Sequence, residues 1–247
     1  MTTLALPQSA RKPTARLSAR QAWGFILLSP YLGETVLDVG AGIGAHVPFL
    51  CRSGVKEWVC LEPDERLASQ IARRIEKGEL SAACRVVTGT LEALAGCTRF
   101  SAVLYLDVLE HIADDRAEME KAARRVADGG CLIVLAPAHQ FLFSPFDAAI
   151  GHHRRYTTAA LRALTPPECR LEFCRMLDSA GFFASLANRS LLRSANPTCA
   201  QVQVWDRVLV PVSRRLDWFL CYRFGKSILA VWRRTRPSSV RVGDGAS

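Results

Sequence analysis

A short apolar stretch, Thr35 to Val39, runs into a glycine-rich bend, Asp38-Val39-Gly40-Ala41-Gly42-Ile43-Gly44, and then into a segment of helical pattern, Ile43 to Arg52. A strand that passes into a helix through three glycines belongs in an α/β sheet. Gly40 permits the tight turn, and Gly42 and Gly44 lack a Cβ, so the backbone there can approach a ligand closely. The rest of the chain repeats the alternation. Glu57 to Leu61 reads as a second strand. Asp64 caps a helix to Lys77, with Leu67, Ile71 and Ile75 recurring every four residues and Gly78 just past the end. Arg85 to Thr88 and Phe100 to Leu106 are the third and fourth strands, the latter apolar along most of its length, as a strand covered on both faces should be. Asp115 to Ala127 is a helix with Met119, Ala122, Ala123 and Val126 on one stripe, stopped by Gly129-Gly130, and Cys131 to Ala136 is a fifth strand. Strands alternating with helices of this length mean βαβ units and a parallel sheet.

After Pro137 the rhythm changes. Phe141 to Tyr156 reads as a long connection holding Pro145, Gly151 and a basic cluster; Thr157 to Leu164 is a short helix and Arg170 to Leu177 a sixth strand. Residues 179–224 read mostly as helix, broken near Asn196-Pro197 and Pro211, before a last strand at Lys226 to Arg233. So long a connection with its own helices suggests a lid, about residues 178–224. The expected organisation is a disordered leader at 1–14, one domain over 15–237 and a flexible tail at 238–247.

With 247 residues, 49% of them hydrophobic and 22% charged, the chain can bury a full core and has the composition of a globular protein. No apolar run is long enough to span a bilayer, and the N-terminus lacks the apolar stretch of a secretory signal. Its 9 cysteines are scattered and never form a CxxC pair, which argues against a disulfide framework or a zinc site and for a reducing, cytoplasmic compartment. The net charge is +9, but residues 1–20 carry +4 and residues 203–247 carry +6, leaving the middle at −1. Basic ends admit nucleic acid or anionic lipid as partners, and equally describe solvated faces.

Glu62 stands at the end of the second strand, 24 residues after Asp38. A carboxylate there can accept two hydrogen bonds from the vicinal hydroxyls of a ribose. Gly40, Gly42 and Ala45 also fit the dinucleotide pattern G-x-G-x-x-G/A, so the glycines alone do not choose the cofactor. Asp38 favours a sulfonium donor with an α-amino group, since a pyrophosphate would meet an added negative charge. The helix-like segment Ala19 to Tyr31 ahead of the first strand points the same way, because many dinucleotide folds begin with the strand.

Asp38 to Gly44 resembles motif I of class I S-adenosylmethionine-dependent methyltransferases, and Val59-Cys60-Leu61-Glu62-Pro63-Asp64 resembles their ribose-binding strand end. Gly89-Thr90-Leu91 is similar to the adenine-contacting segment, where many relatives carry Asp in place of Thr90. Leu106-Asp107-Val108-Leu109-Glu110-His111-Ile112 is similar to the strand-four motif of the branch that includes ubiquinone-biosynthesis O-methyltransferases. Pro137-Ala138-His139 and Gly151-His152-His153-Arg154-Arg155-Tyr156 resemble a signature of a bacterial subgroup. The resemblance covers roughly residues 20–235. It implies a doubly wound α/β (Rossmann-like), mostly parallel seven-stranded sheet of order 3-2-1-4-5-7-6 with the seventh strand antiparallel. It implies S-adenosyl-L-methionine held by Asp38, Gly40, Ala41, Gly42, Gly44, Glu62, Pro63, Thr90, Leu91, Asp107 and Val108.

Methyl transfer from a sulfonium is an in-line displacement, needing alignment and exclusion of water more than acid–base chemistry. A base is required where the nucleophile is a hydroxyl, and no metal ligand set is visible. Ligands of a parallel sheet bind beyond the carboxyl ends of its strands, which brings forward Asp107, Glu110, His111, His139 and the loop 151–156. His111 is a candidate for substrate contact or base, and equally an end group of the next helix. His152, His153 and Arg154 are candidates for a base and an anion clamp, against the alternative of a solvated loop with Tyr156 in the core. Trp23 and Tyr31 could close over the substrate, though core packing is the commoner use of such residues. Phe182, Phe183, Leu191, Leu192, Trp205, Val208, Leu209, Leu216, Trp218 and Phe219 make residues 180–222 apolar with interspersed arginines, either an amphipathic lid or membrane-surface helix over 200–222, or a helical pair covering the sheet.

The leading function is O- or N-methylation of a small molecule, hydrophobic or acid-bearing. A nucleic-acid methyltransferase is the alternative raised by the basic ends; against it, Leu106-Asp107-Val108-Leu109 replaces the Asp/Asn-Pro-Pro-aromatic motif of exocyclic-amine enzymes. An NAD-dependent oxidoreductase is allowed by the glycine spacing, and a non-enzymatic cofactor-binding or membrane-associated protein is the remaining class.

Overall fold

The computed structural model describes residue 25 and residues 27–52, 54–187 and 210–235. The expected leader and tail, Trp23, and the part of the lid holding Leu191, Leu192, Asn196-Pro197, Trp205, Val208 and Leu209 lie outside the described residues.

Seven strands form one sheet: β1 (Thr35–Val39), β2 (Glu57–Glu62), β3 (Cys84–Thr88), β4 (Phe100–Leu106), β5 (Val126–Pro137), β6 (Cys169–Leu177) and β7 (Ser227–Arg234). Their order is 3-2-1-4-5-7-6, as the family resemblance implies. The first five pair in parallel, while β7 runs antiparallel between β5 and β6. The central strands are apolar on both faces because both faces are covered. Leu37, Val59, Val103, Tyr105, Leu132 and Val134 pack on one side against Met119, Ala122 and Ala123 of the helix Asp115–Arg125. Val36, Trp58, Cys60, Leu104 and Ile133 pack on the other against Leu28 and Ile71.

The helices are α1 (Val47–Leu50), α2 (Glu65–Glu76), α3 (Asp115–Arg125), α4 (Pro145–Ala149), α5 (Thr158–Ala163), α6 (Ser179–Ala187) and α7 (Val210–Phe219). The Asp64 side chain accepts from the Arg66 and Leu67 N–H groups at the start of α2, and Thr157 caps α5 in the same manner.

Three local expectations are corrected. The helix expected over Ile43 to Arg52 shrinks to α1, because Gly44 sits at φ +67° and Pro48 cannot donate within a helix interior. The helix expected to reach Ala127 stops at Arg125, and Val126 turns extended to pair with Phe100, so β5 starts earlier and ends at Pro137. The connection 141–156 contains α4, started by a capping box in which the Ser144 side chain accepts from the Asp147 N–H and Asp147 accepts from the Ser144 N–H.

Candidate cofactor and acceptor site

The glycine bend follows β1 at the carboxyl edge of the sheet, with Gly40, Gly42 and Gly44 all at positive φ. Two of them face different constraints. A Cβ on Gly40 would stand 2.7 Å from Val108 Cγ2, so Val108, from the turn after β4, fixes the closeness of the two strand ends. A Cβ on Gly42 would meet nothing within 4 Å, so the bend borders open space there.

The amide groups of the bend point inward. Gly40 and Ala41 donate to the Leu61 carbonyl at 2.8 and 3.2 Å, and Gly44 donates to Ala41 O at 2.9 Å. Gly42 donates to Glu62 Oε2 at 2.8 Å, and Asp64 N–H donates to Glu62 Oε1 at 3.0 Å. Glu62 is buried at this rim, and a carboxylate is the acceptor type that vicinal hydroxyls require. This is not the outward cluster of N–H groups that holds a pyrophosphate, and the four-residue α1 supplies little dipole to replace it.

Asp38 is fully buried. Its Oδ2 is 2.6 Å from His46 Nε2 and accepts from the Trp58 indole at 3.3 Å, while Oδ1 is buried with no hydrogen-bond partner among the described residues. Sequence reasoning missed His46, which follows the motif by two residues; the i, i+8 separation across a glycine bend gives no periodic signal. Burial, the largest influence on the imidazole, disfavours its charge, but Asp38 overrides this and Asp107 adds to it, so the pKa is raised.

The remaining expected cofactor residues divide. Ala41 is buried in the core. Pro63 is exposed beside Glu62. Thr90 is exposed, its hydroxyl donating to Glu92 at 2.5 Å, and Leu91 is buried in the core on one face of the sheet. Asp107 adopts φ +57°, uncommon without glycine, as its N–H donates to Leu135 O at 2.8 Å and the chain leaves the sheet.

The loop 151–156 is drawn against the end of β4. His153 N–H donates to Glu110 O, and Ala138 and Tyr156 form a bridge. His152 Nδ1 lies 2.9 Å from Asp147 Oδ1, and its ring stands edge-on to His111 with centroids 4.6 Å apart. Asp147, only 1% exposed, also takes Arg155 Nε and Nη2 at 3.0 Å each and Ser144 Oγ at 2.7 Å. Burial opposes its ionisation, but the bonds from His152, Arg155 and Ser144 hold its carboxyl well below the usual range. Arg154 is engaged by Asp115 at 2.6 Å and by Ala113 O. His153 is exposed, and Tyr156 is buried with its hydroxyl donating to Asp115 at 2.9 Å. Burial, and then the neighbouring His152, push His111 down to about 4.

Glu110, His111 and His152 each offer a ligand-type atom, all within 4.8 Å of one another. His152 passes its other ring nitrogen to a carboxylate, as metal-bound histidines do. The sequence reading found no metal set because His152 lies 41 residues from His111.

Beyond β5, His139 sits at φ +66° between Phe141 and Phe182, with ring centroids at 5.1 and 4.8 Å. Its Nε2 is buried without a hydrogen-bond partner among the described residues. Phe182 also touches Phe183 and Phe224, giving an aromatic wall in which Phe141, Phe183 and Phe224 are exposed. Tyr31 is elsewhere. It packs on Phe173 and lines a cavity with Ser101, Gly130 and Cys131 at the amino ends of β4 and β5, so it does not close over this edge.

Residues 36–130 match the family described as a methyltransferase domain. Over those residues the chain is similar to methyltransferase domains. The ubiquinone biosynthesis O-methyltransferase of Methylocella silvestris is 34% identical over 123 residues, covering 49% of this chain and 46% of that protein. The namesake from Rhizobium etli is 33% identical over 105 residues, 42% of each chain. The chain thus spans less than half the length of these curated relatives. The methyltransferase fold is shared with a geranyl diphosphate methyltransferase solved in complex with SAM (TM-score 0.61, 13% identity, 94% of this chain and 96% of that one). It is shared equally with the [4+2]-cyclase SpnF (TM-score 0.61, 15% identity, 92% and 86%). One fold therefore carries two chemistries, and the site has to decide.

Proposed function

We propose that this protein transfers the methyl group of S-adenosyl-L-methionine to an oxygen or nitrogen of a hydrophobic small molecule. The observation that carries the cofactor is the inward-turned bend: its amides are spent on Leu61, Ala41 and Glu62, leaving carboxylates rather than N–H groups at the ligand side. The residues fit the donor. Gly42 borders open space, Glu62 can take the ribose hydroxyls, and the buried Asp38 Oδ1 is an anionic acceptor suited to an α-ammonium. When bound, the donor supplies a methyl made electrophilic by its positive sulfur. The chain's task is to align a nucleophile with that methyl and keep water out.

The acceptor reading rests on the aromatic wall of Phe141, Phe182, Phe183 and Phe224 beyond β5, a surface that takes an apolar body, with the His139 Nε2 as a polar contact within it. For a hydroxyl acceptor, the base comes from the histidines at this edge. Asp147 accepts a hydrogen bond from His152 Nδ1–H in the tautomer that leaves Nε2 as an acceptor, whereas His111 stays neutral at pH 7. Arg154 contributes by holding the loop to Asp115. Calorimetry with S-adenosylhomocysteine, S-adenosylmethionine and NAD tests the donor, and heat from NAD alone overturns it. A labelled-methyl assay on cell extract with product identification tests the acceptor class; a labelled RNA product would favour the nucleic-acid alternative.

A second contact, with an anionic membrane surface, is favoured by α7. Its buried side carries Ser213 and Asp217, while Trp218 and Phe219 are 74% and 76% exposed beside the exposed Arg215 and Arg223. Apolar aromatics flanked by arginines suit the lipid interface. No described helix is long and apolar enough to cross a membrane. The free cysteines are in keeping with a cytoplasmic site of action at that surface. Flotation with phosphatidylglycerol vesicles, unaltered in a Trp218→Ser, Phe219→Ser variant, would refute the contact.

A further inference from the structure

The buried pair Asp38–His46 is not used by the methyl-transfer chemistry. It sits under the donor's bend, and among the described residues none donates a hydrogen bond to Asp38 Oδ1. Among the described residues the groups facing His46 are these. Asp38 comes from β1, Asp107 from the end of β4, and the Trp58 indole from β2 shares Asp38 Oδ2. Cys60, also from β2, is kept a neutral thiol by burial, with Asp38 adding to the effect. The Phe25 ring meets His46 edge-on at 5.9 Å. Among these described groups, His46 is the one whose side chain ordinarily changes charge near neutral pH.

We propose that His46 is a positioning residue for the donor: it holds Asp38 by Oδ2 so that Oδ1 meets the donor's α-ammonium, and it gives up its proton to solvent as that cation binds. This rests on the S-adenosylmethionine reading above. The physical reason is charge balance in a dry site. With His46 protonated, Asp38 is neutralised and an arriving cation faces an imidazolium; with His46 neutral, the carboxylate is available to the cation. Binding and protonation of His46 then oppose each other, and linkage makes affinity rise with pH as the proton leaves.

The sign follows from the folded pKa, which lies above the ordinary 6.5. The apo protein therefore holds the His46 proton to higher pH than an ordinary histidine does. From pH 5.5 to 7.0 the donor's own α-ammonium stays charged, as its ordinary value is about 7.7–8.0. S-Adenosylhomocysteine affinity is expected to rise severalfold from pH 5.5 to 7.0, because binding competes with the His46 proton. Titrations at pH 6.5 in buffers of different ionisation heat are expected to show proton release. His46→Gln keeps a donor to Asp38 but does not titrate; it is expected to bind with no comparable rise and no proton release, while its melting temperature shows an intact fold. A wild-type protein that binds without proton release, or a His46→Gln variant with the same pH slope as the wild type, overturns the proposal. Should His46→Gln fail to fold, the wild-type proton count decides alone. Absence of binding at every pH in the folded wild type would instead remove the donor reading on which this stands.

Discussion

Replacing Gly40 by Ala tests whether the bend is set by backbone conformation, by packing, or by both. Gly40 sits at φ +67°, which costs an L-residue about 1–2 kcal/mol. The added methyl would also lie 2.7 and 2.8 Å from the two methyls of Val108, inside contact distance, and such overpacking costs about 1–3 kcal/mol. Gly40→Ala should therefore lose roughly 2–5 kcal/mol of stability, the sum of the two. Val108→Ala alone removes half-buried methyls and should lose about 1 kcal/mol. In the double variant the clash is gone and only the φ cost and the lost methyls remain, so its loss should fall short of the sum of the singles by about 1–3 kcal/mol. Urea unfolding of the four proteins, followed by tryptophan fluorescence, measures the cycle. Strict additivity would refute the contact argument, and a Gly40→Ala variant as stable as the parent would refute both parts.

Gly42→Val meets no atom within 4 Å of its Cβ and carries only the cost of its positive φ, yet should abolish S-adenosylhomocysteine binding by calorimetry because the side chain fills the ligand's space. Asp147→Ala leaves Arg155 and His152 buried without their carboxylate and should destabilise by about 3–5 kcal/mol in urea melts. His153→Ala, at an exposed side chain, should leave donor affinity and melting temperature unchanged and slow methyl transfer; normal turnover would strike His153 from the candidate bases. His111 is pushed down to about 4 when folded, against about 6.5 when unfolded, so the unfolded chain binds more protons between those values. Its contribution is full above pH 6.5 and is lost as pH falls towards 4; His111→Gln should flatten that part of the stability profile in urea melts between pH 7 and 5.

Local chemistry made much of the fold legible. Strand ends were readable where apolar runs meet glycine or acid, as at Val39-Gly40 and Leu61-Glu62, because these mark where the chain leaves a covered sheet. Asp64 and Thr157 announced their helices because a cap acts within three residues. The early end of α3 was illegible, since Val126 suits the helix stripe and becomes a strand residue through pairing with Phe100, 26 residues away.

The sequence by itself determined the layered α/β sheet, the glycine bend and the acid at its rim, all features whose causes lie within a few neighbouring residues. Tertiary structure alone decided that the bend's amides turn inward, that Asp38 is shared with His46 and Trp58, and that Asp147 gathers His152 and Arg155. Those arrangements depend on burial and on distances between residues far apart in the chain, and a buried charge keeps its ionisation only through the partners that the fold brings to it.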